Sequence, residues 1–252
     1  MAARRLLLSV DELAVLCREH AVRLPPPFLP VRVGAGDARA HEVAREHLVA
    51  RGLLDGPAGE SVARNLGLLM ASRVALRTDV VIDHESISSL IAIGDEAGAT
   101  IAHAYRSAVE LSLWPAGELP HEVSRLVPRG GHRGEGRPVA VATRALIGAL
   151  GVAADRGHDA AEMLLMREGL QRRDADQLLH VAATTRGSLH AIVTGRATGG
   201  TDAIALGHVV WVLTGQGWQG IRRLRVGDLA LAPVVPADLG RWLAPYVAEL
   251  VA

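Results

Sequence analysis

A degenerate internal repeat constrains the fold of this sequence more than any other feature. The segment Glu-Leu-Ser-Leu-Trp-Pro at 110–115 resembles the segment Asp-Leu-Ala-Leu-Ala-Pro at 228–233. Each segment is followed by an acidic residue that precedes an arginine by three positions, at 122–125 and at 238–241. Self-similarity over such a long period implies two related supersecondary units.

Helical patterns precede strand patterns in both halves of the chain, which favours an α+β fold over an alternating α/β fold. We predict that residues 73–126 and 187–250 are two copies of a unit of three strands and a helix. The segment 129–138 is rich in glycine and arginine and is predicted to be a linker. The predicted organisation is an N-terminal α+β half at 1–128 and a C-terminal α+β half at 139–252, within one compact domain.

Composition excludes several classes of protein. The 252 residues are 49% hydrophobic, which is too apolar for a disordered chain. The 27 basic and 27 acidic residues cancel, so the chain is no general nucleic-acid binder. Every basic residue is an arginine, which excludes a Walker-A lysine and Schiff-base chemistry. Cys17 is the only cysteine, which excludes a disulfide framework. No signal-peptide core and no apolar stretch of about 20 residues is found, which predicts a cytoplasmic protein.

The candidate catalytic and metal-binding patterns are incomplete. His41 and His47 come close to known zinc signatures, but they are six residues apart and would point to different sides of a helix. His190 and His208 lie on predicted strands and are candidates for cross-strand neighbours. The segment Gly195–Thr201 has the glycine spacing of a phosphate-binding loop but lacks its lysine. The sequence therefore predicts no catalytic residue, no cofactor and no metal site.

The strand predicted at 208–213 offers a candidate protein-binding surface. Its alternation gives two faces, with Val209, Trp211 and Leu213 on one and His208, Val210 and Val212 on the other. Both sets are largely apolar, so the strand is either covered on both faces or leaves one face for a partner. We predict that the Trp211 set and Trp218 bind the partner, with the loop 195–204 as a flanking wall, because tryptophan is enriched in interfaces. The opposing interpretation is that these aromatic residues fill the core.

Longer stretches of the sequence resemble a known family. In the second half they are Ser188–Gly195, His208–Leu213, Gly227–Pro233 and Asp238–Leu243. Near the N-terminus they are Leu-Ser-Val-Asp-Glu-Leu at 8–13 and Leu-Pro-Pro-Pro at 24–27. These stretches resemble the EspG family, the ESX (type VII) secretion-associated proteins of actinobacteria, over nearly the whole chain.

The resemblance implies a cytosolic chaperone without catalytic activity. Family members bind PE/PPE heterodimers, which are long helical secretion substrates, and cover an apolar tip of the PPE partner. The implied fold is a quasi-two-fold repeat of antiparallel strands that form a central sheet flanked by helical bundles. The implied partner is a PE/PPE-like heterodimer or a related small helical protein, with no nucleic acid and no membrane insertion; homodimerisation stays open.

The resemblance also implies where such a partner would bind. The family uses the central sheet, a loop between early strands and the C-terminal helical part. In this sequence the loop residues are Asp83, His84 and Glu85, the helical part includes Gln177, and the sheet strand is the one that contains Trp211.

A second interpretation comes from a different class: a small-molecule-binding or enzymatic α+β domain with a hidden pocket. A deep cleft in which His190, His208 and Asp202 converge would favour this interpretation. An exposed apolar sheet face without a deep polar pocket would favour the chaperone.

Overall fold

A computed structural model describes residues 4–25, 28, 38–104, 108–130, 136–196 and 203–251. These residues form eight α-helices and ten β-strands. The N-terminal repeat comprises β1 (Arg4–Ser9), α1 (Val10–Glu19), α2 (Ala38–Ala50), α3 (Gly56–Ala71), β2 (Val74–Ile82), β3 (Glu85–Ile93), β4 (Ala97–Ala104), β5 (Ala108–Pro115) and α4 (Leu119–Arg125). The C-terminal repeat comprises β6 (Val139–Ala142), α5 (Thr143–Arg156), α6 (His158–Arg167), α7 (Arg172–Thr184), β7 (Gly187–Arg196), β8 (Ala203–Thr214), β9 (Gly217–Arg225), β10 (Asp228–Pro233) and α8 (Asp238–Val251).

All ten strands belong to one sheet with the order β1-β5-β4-β3-β2-β7-β8-β9-β10-β6. Neighbouring strands are antiparallel throughout. The strand order is symmetric about the pair β2–β7. Along the chain, each repeat has the same order of elements: an opening strand, three helices, four strands and a closing helix. The predicted α+β fold with a quasi-two-fold repeat of strands is confirmed. The predicted count of three strands per unit is wrong, because residues 73–126 contain four strands, β2–β5, and residues 187–250 contain four, β7–β10. The strands β1 and β6 lie outside these two segments.

Local sequence signals explain where the elements begin and turn. Ser9 and Glu12 form a capping box at the start of α1, in which the Glu12 backbone N–H donates to Ser9 Oγ at 3.1 Å. The hairpin between β2 and β3 has a two-residue turn, Asp83-His84, and both residues have positive φ, at 46° and 74°. This backbone is the one that a tight antiparallel hairpin needs, and aspartate tolerates it better than most residues.

The two faces of the sheet are covered differently. On the face that we call the closed face, α4 and α8 contact each other, and α8 lies against β7 and β8. The central hydrophobic core lies beneath these helices and includes three fully buried tryptophans, Trp114, Trp211 and Trp218. On the opposite face, α1–α3 cover β3, β4 and β5, and α5–α7 cover the outer strands of the C-terminal repeat. Two helical bundles therefore flank the central strands without covering them.

The junction between the repeats is held in place at its N-terminal end. Gly130 is buried against Trp218 and Leu213, and a Cβ there would lie 2.6 Å from the indole ring. The predicted linker 129–138 continues through residues 131–135, which lie outside the described residues. Within the part of the chain that the structure describes, no helix is long and apolar enough to cross a membrane.

Candidate partner-binding face

Alternation along the central strands defines an exposed surface between the two helical bundles. In β2 the residues 74, 76, 78 and 80 are buried toward α4 and α8, whereas Arg77 and Val81 are exposed on the other side. Strand β7 alternates in the same way, with Leu189, Ala191 and Val193 buried. We call the uncovered set the open face; it comprises Arg77, Asp79, Val81, Ser86, Ser88, Ser188, His190, Ile192, His208 and Val210.

Polar contacts cross the middle of the open face. Asp79 lies beside His190 in the register of β2 and β7. The Asp79 carboxylate accepts hydrogen bonds from Arg77 Nε at 2.8 Å and from Ser88 Oγ at 2.7 Å. Aliphatic side chains lie on both sides of this row, and Val81 is 43% exposed. The open face is therefore mixed in character, with aliphatic and polar side chains next to each other.

The predicted cross-strand neighbours His190 and His208 do meet on the open face. His190 Nδ1 and His208 Nε2 are 3.3 Å apart, and the rings stack with centroids separated by 5.4 Å. Both side chains are exposed. Within the described ranges, no group of three or more His, Cys, Asp or Glu side chains is arranged to hold a metal ion.

Two cavities flank the open face, one against each helical bundle. The C-terminal groove has a volume of about 200 Å³ and is lined by apolar residues of α5, α7 and β8, among them Leu150, Val181 and Val212. The N-terminal hollow has a volume of about 510 Å³ and lies between α3 and the strands β2, β3 and β7. Its floor is apolar, with Leu69 and Leu90, and its lining includes four arginines: Arg23, Arg73, Arg77 and Arg196.

Comparison with known proteins identifies the fold family. The sequence model of the EspG family matches residues 9–244 of this chain. The chain belongs to the EspG family. A solved EspG-family structure, described as the Mycobacterium tuberculosis type VII secretion system chaperone EspG5 in complex with PE25-PPE41 dimer, shares 12% sequence identity with it. The two structures superpose with a TM-score of 0.68 over 98% of this chain and 96% of that one. No curated protein matches the sequence.

For this EspG-family chain, the predicted exposure of Trp211 and its neighbours is wrong. Val209, Trp211, Leu213 and Trp218 are all buried on the closed face, with exposed fractions between 0% and 4%. The physical reason is α8, whose Trp242 ring meets Trp211 edge-on at a centroid distance of 5.8 Å. The Trp218 indole N–H also donates to the Pro128 carbonyl at 2.9 Å. These residues form the core.

Of the other predicted residues, three lie beside the open face and one lies on α7. Asp83, His84 and Glu85 are exposed at the β2–β3 turn, where Asp83 Oδ2 lies 3.6 Å from Arg186 Nη1. Gln177 lies about two turns before the end of α7, is half-buried and donates from Nε2 to the Arg137 carbonyl at 3.0 Å.

The sequence prediction missed the open face itself. The signal was present in β2 and β7, where Arg77, Asp79 and His190 alternate with apolar residues in two strands that the topology places side by side. Residues 197–202 of the predicted flanking loop, including Asp202, lie outside the described residues.

Proposed function

We propose that this chain is a non-catalytic, cytoplasmic chaperone of a type VII (ESX) secretion system that binds a helical secretion substrate on its open face. Membership of the EspG family supports this function, as does the fold shared with a chaperone that was solved with a PE/PPE dimer. The observation that carries the proposal is the uncovered centre of the sheet, which lies between two helical bundles.

The geometry of the open face suits a helical tip. One face of an antiparallel sheet is commonly solvated and then carries mainly polar side chains, so the exposed Val81 and the half-buried Ile192 and Val210 on this face support a surface that a partner buries. Val81, Ile192 and Val210 supply apolar contact area, and the C-terminal groove accepts an apolar side chain beside them. Each Å² of apolar area buried contributes roughly 25 cal/mol before the costs of association.

The polar residues of the open face give the partner orientation and specificity. Asp79, Ser88 and His190 offer hydrogen-bonding groups near the centre of the sheet. Asp83 lies at the margin, on the β2–β3 hairpin turn, and Gln177 on α7 is a further candidate. A PE/PPE-like heterodimer or a related small helical protein is the partner that we propose, and a homodimer of the chain would have to leave this face accessible.

The same geometry favours a binding protein over a small-molecule enzyme. His190 and His208 are exposed on an open sheet, and neither lines the C-terminal groove or the N-terminal hollow. A reaction centre normally encloses its substrate so that water is excluded and polar groups converge. The histidine pair lies on a surface that only another macromolecule could cover.

Co-purification tests the proposal. The tagged chain is expressed in its native cytosol, the captured proteins are identified by mass spectrometry, and the complex is rebuilt from purified components. Val81→Glu combined with Val210→Glu should abolish binding of the helical substrate because it adds two charges to the buried contact. Leu224→Glu is the matched control, since Leu224 is 53% exposed and lies outside the open face. Undiminished binding by the folded double variant would contradict the proposal.

A further inference from the structure

The N-terminal hollow carries an excess of positive charge that the described residues around it do not neutralise. Four arginines line it, and no Asp or Glu is among the described residues that do so. Arg77 forms an ion pair with Asp79, which neutralises its charge in part. Arg23, Arg73 and Arg196 form no ion pair with any described residue, although Arg196 Nη1 donates to the Met70 carbonyl at 3.1 Å.

The shape of the hollow strengthens this field. A concave surface with an apolar floor focuses the potential of the charges around it, because little water screens them from below. The apolar floor here includes Leu24, Leu69 and Leu90. Guanidinium groups present a planar fork that matches a carboxylate or a phosphate, so an arginine-lined hollow selects anionic ligands.

The C-terminal groove on the other flank has the opposite character. No charged residue is among the described residues that line it. Both cavities adjoin the open face: Arg77 belongs to the open face and also lines the hollow, while Val212 of the groove pairs with Ser188. A protein that covers the open face therefore meets an apolar groove at one end and a cationic hollow at the other.

We propose that the N-terminal hollow binds an acidic segment of the secretion substrate and thereby sets the direction in which the substrate lies across the open face. This inference rests on the proposed function. The partner supplies protein carboxylates rather than free phosphate, because the hollow is continuous with the open face and has an apolar floor that side chains can cover. The chain as a whole has no net charge, which argues against a nucleic acid.

Peptide binding tests the hollow independently of the natural substrate. The probe is a short fluorescent helical peptide that carries glutamate and leucine, compared with a counterpart in which glutamine replaces every glutamate. The wild-type chain should bind the acidic peptide about tenfold more tightly, and added salt should weaken this preference. Arg23→Glu combined with Arg73→Glu should remove the preference. Arg144→Glu combined with Arg167→Glu, at exposed positions of α5 and α6, should leave it intact.

Two results would overturn the proposal. One is equal binding of the acidic and neutral peptides by the wild-type chain. The other is displacement of the acidic peptide by inorganic pyrophosphate at lower concentrations than by unlabelled peptide, which would identify a phosphate ligand. Circular dichroism establishes that each variant is folded, so that a loss of binding is not a loss of structure.

The rebuilt chaperone–substrate complex separates this inference from the proposed function. The Arg23 and Arg73 double variant should bind the substrate about tenfold more weakly, mainly through slower association. The Val81 and Val210 double variant should lose binding altogether. If the valine variant still binds, the proposed site on the open face fails, while the peptide comparison continues to decide the hollow. If the arginine variant binds the substrate as the wild type does, the hollow has no role in substrate recognition.

Discussion

The two repeats share their connectivity but hold their closing helices in different ways. In the N-terminal repeat, Glu122 of α4 is 2% exposed, and its side chain pairs with Arg125, which is 20% exposed. In the C-terminal repeat, the equivalent pair on α8 is Asp238 with Arg241, and that arginine is 79% exposed. The same acid–arginine spacing thus gives a largely buried pair in one repeat, whereas in the other the acid is buried and its arginine lies at the surface.

The buried network of the N-terminal repeat joins three elements. Arg125 Nη2 lies 2.7 Å from Glu110 Oε1 of β5 and 2.5 Å from Glu122 Oε1. Arg5 of β1 lies 3.8 Å from the same Glu122 carboxyl group. In this repeat, charge therefore fixes α4 to the sheet.

Aromatic contacts take that role in the C-terminal repeat. Trp242 of α8 meets Trp211 edge-on, and its ring lies over Gly220, where a Cβ would approach it to 2.4 Å. The Arg222 guanidinium lies 4.6 Å from the centre of the Trp242 ring. The comparison teaches that a duplicated backbone can keep one architecture while its closing helix contacts the sheet through a buried charge network in one copy and through an aromatic stack in the other.

Replacement of Trp211 by glutamate should have the largest effect, because it destroys the aromatic anchor of the C-terminal repeat. An unpaired carboxylate would replace a fully buried ring beneath α8, at a cost of more than about 4 kcal/mol in the free energy of unfolding. Urea unfolding followed by circular dichroism measures this loss. Val210→Glu, one residue earlier on the open face, is the control and should cost about 1 kcal/mol or less. A stable Trp211→Glu protein would show that the aromatic anchor is dispensable.

This pair of neighbours also shows what the sequence could and could not predict. Alternation separated the two faces of β8 correctly. Both faces are apolar, so the choice between them depended on α8, which covers Trp211 from about thirty residues further along the chain. The open face could be recognised only when β2 and β7 were known to be neighbours. The alternation of polar residues within one strand does not show which strand lies beside it.

Short elements were the other limit on prediction. Strand β6 has four residues between the predicted linker and α5, and a pattern of that length cannot distinguish a strand from a helix start. Longer segments carry a clearer signal. The apolar pattern of Val74–Ile82 predicts a strand, and β2 has those bounds; the pattern at 121–126 predicts a helix, and α4 covers Leu119–Arg125. The contact between His190 and His208 was predicted because both residues lie on strands of sufficient length.

Removal of the arginine from each repeat compares the two acid–arginine pairs directly. Arg125→Ala leaves the buried Glu122 carboxylate without its main partner, so we expect a loss of roughly 3 to 5 kcal/mol in the free energy of unfolding. Arg241→Ala removes a surface partner and should cost about 1 kcal/mol or less. Chemical denaturation of both variants at neutral pH measures the difference. Equal losses would show that burial of the first pair adds nothing to stability.

The pH dependence of stability should show a smaller effect of the same buried network. Burial raises the pKa of the Glu122 carboxyl group. Hydrogen bonds and charge attraction from Arg125, with smaller effects from Thr100 and Arg5, lower this pKa by more than burial raises it. The net pKa of Glu122 therefore lies below the ordinary 4.5. A carboxyl group with a depressed pKa in the folded state stabilises the fold above its unfolded pKa, and this stability is lost as the pH falls through the folded value.

We therefore expect the free energy of unfolding to decrease as the pH falls below about 4.5, with Glu122 contributing to the slope. Glu122→Gln cannot release a proton at this position, so its unfolding free energy should vary less over that pH range than that of the wild type. Glu96→Gln is the control, since the Glu96 side chain is 90% exposed and should keep the wild-type slope. Urea titrations at a series of acidic pH values measure the slopes. An unchanged slope in Glu122→Gln would mean that Arg125 does not hold this carboxylate in its charged form, and that the two repeats differ in geometry but not in electrostatics.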